Sequence, residues 1–185
     1  MDNIRIIPVS HCLLNPYSKV KSSIDYSNVS KEIIMPLLKK GYGILQLPCP
    51  ELCHGGLQRW GQARRQYDNP FYHQHCRELA CGVAAQLEEY LRCSIPVGPI
   101  LGIEGSPSCA ITCSFDGNWG GELTASCVQN LMQYPLESRA ESGVFMKLLQ
   151  ELLKEKKLNI AFLGVNEENL EQSRVSILEF LGVRA

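Results

Sequence analysis

The sequence predicts an α/β fold, a single-domain three-layer Rossmann-like or flavodoxin-like sandwich with a mainly parallel sheet of about four strands. Short apolar, β-branched runs alternate with stretches of helical periodicity, and Pro-, Gly- and Asn-containing segments separate them. The 185 residues, taken as one domain over positions 1–185, are enough for a real hydrophobic core. Right-handed crossovers between strands are expected, although strand order is not legible.

In chain order, Ile4–Val9 is the first expected strand. Cys12–Tyr26 reads as a loop around Asn15-Pro16. Ser27–Lys40 reads as a helix, capped near Ser27 or Ser30, stopped by Gly41, and kinked or shortened by Pro36. Tyr42–Leu47 is a second strand, and Pro48–Asn69 a long functional loop. From Pro70 to about Arg92, Tyr72, Cys76, Leu79, Val83, Leu87 and Tyr90 recur at helical spacing. Val97–Ile103 is the third strand. The Gly-, Ser- and Cys-rich segment Gly105–Tyr134 is expected to fold over the site as a lid. A helix over Ser142–Lys156 turns Phe145, Leu148, Leu149 and Leu152 inward, Leu158–Val165 is the fourth strand, and Asn166 caps a last helix ending near Gly182.

Hydrophobic residues make up 45% and charged residues 20%, the balance of a globular chain. The first residues lack the pattern of a secretory signal and no apolar run is long enough to span a membrane, so a cytoplasmic protein is expected. The net charge of −1 disfavours tRNA or other nucleic acid as a partner held by long-range electrostatics. Arg59, Arg64 and Arg65 form a local basic run that suits one or two phosphates, or simply a solvated loop face.

Nine cysteines without a secretion signal point to metal binding or catalysis rather than disulfides. Cys76, Cys81 and Cys93 are expected to be small buried hydrophobes. Cys12, Cys49 and Cys109 each follow a predicted strand. The carboxyl edge of an open parallel sheet is where ligands bind. Three thiolates converging there suit an iron–sulfur centre, with one iron left open for a substrate atom. Cys49 and Cys53, with Cys109 and Cys113, also form two C-x3-C pairs. Those four residues describe an alternative, a structural zinc site in a non-catalytic binding module. A third reading is an electron-transfer protein whose cluster takes Cys53 or Cys113 as a fourth ligand.

His11-Cys12-Leu13-Leu14, Cys49-Pro50-Glu51 with Gly55-Gly56-Leu57, and Ser106-Pro107-Ser108-Cys109 resemble, in order, the signature segments of the thiouracil desulfidase family. The resemblance covers about Ile4 to Cys109. It implies an α/β domain with a [4Fe-4S] cluster held by Cys12, Cys49 and Cys109, and loss of sulfur from a small thio-substrate such as 2-thiouracil without net redox change. Family members have a glycine after the leucines and a Pro-Arg segment after Gly-Gly-Leu. This chain has Asn15-Pro16-Tyr17 and Gln58-Arg59-Trp60 there, as a divergent relative would.

For the chemistry, Glu51, Ser108 and Glu104 are the expected catalytic residues, the carboxylates moving a proton or activating water. Ser106, Gly55, Gly56, Trp60 and Trp119 are the expected substrate-binding residues, with the indoles stacking on a planar base. Each also has a structural reading, in a turn or over the core. His11 and His54 adjoin cysteines and are weaker candidates for proton relay.

Overall fold

The computed structural model describes residues 6–21, 27–122, 124–133 and 135–182. The chain runs β1 (Ile6–Val9), α1 (His11–Leu14), a 3-10 turn (Pro16–Ser18), α2 (Ser27–Val29), a π-helical turn (Ser30–Ile34), α3 (Met35–Lys39) and β2 (Gly43–Gln46). It continues through α4 (Pro50–Gly55), α5 (Arg64–Tyr67), α6 (Pro70–Arg92), β3 (Ile100–Ile103), β4 (Ser114–Asp116) and α7 (Ala125–Gln133). β5 (Glu137–Arg139), α8 (Val144–Glu155), β6 (Phe162–Val165) and α9 (Leu170–Phe180) follow.

β1, β2, β3 and β6 form a parallel sheet in the order β2-β1-β3-β6. The expected α/β class and parallel sheet are therefore present. The central strands are apolar because helices cover both faces: Ile7, Val9, Ile100 and Leu101 are fully buried. After β2 the chain steps back over β1 to reach β3. Right-handed crossovers therefore send the helices before and after β2 to opposite faces. α6 packs on α8, while α9 packs on the π-helical turn.

The second, third and fourth expected strands are shorter than their apolar runs, and Ile4 and Arg5 of the first lie outside the described residues. Val97 makes only an isolated bridge to Ile6, and Leu158–Ala161 leads into β6. The helix expected over Ser27–Lys40 is split among α2, the π-helical turn and α3. Pro36 lacks an N–H, and the wider turn just ahead of it lets the chain stay helical. α6 begins at Pro70 as expected, its N-cap Asn69 accepting from Tyr72 N at 3.0 Å. The cap of α9 is Asn169 rather than Asn166. Asn166 instead accepts from Glu168 N in a turn of its own.

Beyond β3 the chain folds back sharply. Ile103 N donates to Cys109 O at 3.0 Å, and a Cβ on Gly102 would lie 2.5 Å from that carbonyl. The absent side chain is what lets the Cys109 loop lie on β3. The loop is then tied to α8: Gly143 N, Val144 N and Phe145 N donate at 3.0 Å to Ala110 O, Pro107 O and Ser108 O, and Met146 N to Ser108 O at 3.1 Å. These carbonyls satisfy the N–H groups that a helix start leaves unpaired. No described helix is long and apolar enough to cross a membrane.

Gly102→Ala is expected to lower stability by about 1–3 kcal/mol through overpacking, read as a lower urea midpoint at unchanged m-value. An unchanged midpoint would show that the loop can move off the strand at no cost.

Candidate functional site

Cys12, Cys49 and Cys109 line one cavity of about 320 Å³ at the carboxyl ends of β1, β2 and β3. This is the point where the chain order reverses between β1 and β3, the usual ligand crevice of such sheets. Each thiol is set by local structure. Cys12 lies in the first turn of α1, directly after β1. Cys49 caps α4, its sulfur accepting from Leu52 N at 3.4 Å, with Pro50 at the first helical position. Cys109 sits in the folded-back loop and faces the buried Ser10 hydroxyl.

Burial raises the pKa of all three thiols: Cys12 is pushed up to about 12, and the other thiols and Glu51 add to the rise at Cys109. Lys19 at Cys12, and the backbone N–H of Leu52 at Cys49, act in the opposite direction. Ser10 Oγ is buried without a completed hydrogen bond, and its hydroxyl eases the rise at Cys109. Burial makes the thiolate form of each harder to reach, and Lys19 and the Leu52 N–H work the other way at Cys12 and Cys49.

Glu51 and Ser106 share the cavity. Ser106 Oγ lies 3.5 Å from Glu51 Oε1 and accepts from Cys109 N at 3.0 Å. Ser108, in contrast, is fully buried outside the lining, its hydroxyl 2.8 Å from Tyr72 Oη. Its role is to hold the loop. Glu104 lines the cavity, but its carboxylate accepts from Thr112 N, Thr112 Oγ1 and Cys113 N at 2.9–3.2 Å. It braces the return of the chain after Cys109.

Arg59 departs from both readings of the basic run it shares with Arg64 and Arg65, one or two phosphates or a solvated loop face. Its side chain is only 6% exposed and lines the cavity. Nη1 donates to Gly56 O at 2.9 Å, Nη2 to Ser18 O at 2.7 Å, and Nε lies 3.5 Å from Glu51 Oε2 without completing a hydrogen bond. Arg64 instead pairs with Asp68 and Glu141, and Arg65 with Asp116. No phosphate site is formed by the run, because each member already faces a carboxylate.

Gly55 and Gly56 act through Arg59. Gly56 ends α4 at φ +70°, and a Cβ on Gly55 would press on Arg59 Cβ at 3.1 Å. Trp60 is 73% exposed, and neither it nor Trp119 lines the cavity. Of the expected lid, Phe115 reaches over the site, while β4 pairs antiparallel with β5. His11 and His54 are outside the lining; His54 stacks edge-on against Tyr72. Across the mouth, Lys19 pairs with Glu167, joining the segments that follow β1 and β6.

The other cysteines stand elsewhere. Cys76 is buried in α6 as expected, but Cys81 and Cys93 are exposed. Cys53 is exposed and Cys113 contacts Ser138 Oγ at 2.8 Å; neither lines this cavity. The side chain of Cys127 is outside the described residues. Among the described residues no group of three or more His, Cys, Asp or Glu side chains forms a site for a metal ion. Neither the tetrahedral set of Cys49, Cys53, Cys109 and Cys113 nor the set of Cys12, Cys49 and Cys109 is therefore assembled for a single metal ion. Ligands of a polynuclear cluster bind different irons and stand farther apart than ligands of one ion.

The chain is 37% identical over 111 residues, 60% of its length, to the uncharacterized protein MJ0003 of Methanocaldococcus jannaschii, whose length is 70% covered. The two belong to one family. No family model and no solved structure matches the chain.

Raised thiol pKa values destabilise the metal-free fold in alkali. Unfolded thiols ionise near 9.0, whereas Cys12 holds its proton to about 12. Its contribution is complete below the lower value and lost as pH rises toward the upper one. Alkaline unfolding curves of metal-free protein are expected to show this loss, and Cys12→Ser to flatten it. Arg59→Ala removes the cation beside Glu51 and the two hydrogen bonds to Gly56 O and Ser18 O, and is expected to cost about 1–3 kcal/mol, measured by urea unfolding.

Proposed function

We propose that the protein is a [4Fe-4S]-dependent desulfidase that removes sulfur from a thiolated nucleobase, nucleoside or similar small thio-compound. The observation that carries this reading is the convergence of Cys12, Cys49 and Cys109 in one cavity that also holds Glu51 and Ser106. The three cysteines would hold the cluster, and the cavity's described lining contains no fourth cysteine. A cluster bound in this way supplies a Lewis-acidic iron that polarises a C–S bond.

The chain's own groups account for the remaining chemistry. The overall change is exchange of a C=S for a C=O: water adds at carbon, hydrosulfide leaves, and no electrons are gained or lost. Glu51 takes the proton from the attacking water and returns it to the departing sulfur or to the ring nitrogen. Ser106, within reach of Glu51, orients the water or the substrate's neighbouring carbonyl. Arg59 holds the Glu51 carboxylate in place by charge while its two outer nitrogens are anchored to Gly56 and Ser18. Phe115 supplies an apolar face that a planar ring can cover.

Anaerobic reconstitution should give about four irons per chain by metal and sulfide assay. Addition of 2-thiouracil should change the visible absorption and yield uracil. Serine at Cys12, Cys49 or Cys109 is expected to lower bound iron. Glu51→Gln should keep the iron and lose on the order of 10²–10⁴ in kcat. One zinc and no iron after reconstitution would sink the reading.

A further inference from the structure

Ser10 stands where a helix cap is expected and does not cap. It immediately precedes α1, and serine in that place ordinarily turns its hydroxyl onto a free N–H of the first turn. Here the side chain makes no cap bond, although the backbone on either side is anchored. Ser10 N donates to Leu101 O at 2.9 Å, and Leu13 N donates to Ser10 O at 3.0 Å. The residue is 1% exposed, and its Oγ has no hydrogen-bond partner among the described residues. A hydroxyl taken out of water and left unpaired lowers stability. Alanine would occupy the same place without that loss, so the metal-free fold gives the hydroxyl no purpose.

Its surroundings give it one. Leu101, which receives the Ser10 N–H, is followed by Gly102, and the Cys109 carbonyl lies over Gly102, 2.5 Å from where a Cβ would stand. Ser10 and Cys109 therefore meet beside β3, and the hydroxyl eases the rise at that thiol. The three thiols differ in what faces them. Cys49 has the Leu52 N–H at 3.4 Å, and Cys12 has the positive charge of Lys19. Cys109 is buried, and the charges of Cys12, Cys49 and Glu51 all oppose a thiolate there. A neutral thiol is a weak acceptor, and the Ser10 hydroxyl completes no bond to it. A thiolate accepts far more strongly.

Resting on the desulfidase reading, we infer that Ser10 is a positioning residue for the iron–sulfur cluster, its hydroxyl donating to the Cys109 sulfur once that sulfur is a ligand. Each of the three ligand sulfurs then has a donor or a cation of its own. A hydrogen bond to a ligand sulfur draws electron density away from the iron and makes the cluster easier to reduce. The hydroxyl left unpaired in the metal-free chain is satisfied only in the loaded one.

The test compares the parent protein with Ser10→Ala and Ser10→Thr. Without metal, Ser10→Ala should keep or raise the urea midpoint, because an unpaired buried hydroxyl has been removed. After anaerobic reconstitution, its cluster should need a more negative potential for reduction. The expected shift is about 59 mV, a tenfold change in the ratio of reduced to oxidised cluster at fixed potential. The sulfur-to-iron absorption of the unreduced protein should move to longer wavelength. Ser10→Thr, which keeps the hydroxyl, should restore both values. Iron bound to Ser10→Ala with neither property moved overturns the role of Ser10 and leaves the desulfidase reading standing. Loss of iron from both variants assigns the position to packing and also overturns the role, whereas loss from Ser10→Ala alone supports it. A parent chain that takes up no iron overturns both readings.

Discussion

Parallel pairing on both sides of β1 is the constraint on which the rest depends. Val9 is in register with Gln46 on one side and with Leu101 on the other. That register carries the residues just beyond three strands to the same edge of the sheet, although Cys12, Cys49 and Cys109 are far apart in sequence. β1 is buried on both faces, so a slip of one residue would force Ile7, Pro8 and Val9 into spaces shaped for other side chains. Core packing thus enforces the alignment that assembles the cavity, and the geometry at the edge is a by-product of hydrophobic burial in the middle.

What assembles at that edge is chemically mixed. The thiols are held neutral by burial, while Arg59 and Glu51 face each other as an ion pair with little exposed side chain. A desolvated ion pair is weak as a source of stability. Here Arg59 has a second effect, because its guanidinium joins the turn after α1 to the end of α4 through Ser18 O and Gly56 O. Two loops that leave different strands are thereby fixed relative to each other around the cavity. A lysine could not reproduce this, since it lacks the planar fork that reaches two carbonyls and a carboxylate at once.

The sheet and the long helix α6 were legible because hydrophobic periodicity is a local signal. So were the three strand-end cysteines, whose positions follow from where apolar runs stop. The short helices α4 and α5 were not, since a turn or two of helix within a Pro- and Gly-containing segment has too little periodicity to stand out. Arg59 was misread for a different reason. In sequence it adjoins other cations, and only the fold shows that Glu51, Asp68 and Asp116 divide the run among themselves. Ser106 and Ser108 are two residues apart and equally plausible on paper; burial of Ser108 against Tyr72 separates their roles.

The stitching of the Cys109 loop to the start of α8 has a consequence for how this site can change over time. The loop carbonyls serve as the helix's cap, and α8 contributes Phe145, Met146 and Leu149 to the core. Moving the loop therefore means unpairing the helix start, so the position of Cys109 is tied to the integrity of the whole domain. Cys49 is carried by a six-residue helix ahead of the Leu57–Gly61 segment, much of it exposed. Apart from the anchored Arg59, substitutions in that segment are tolerated at little cost to folding. New specificities in relatives of this protein would arise on the β2 side of the cavity, around a thiol on the β3 side that drifts least.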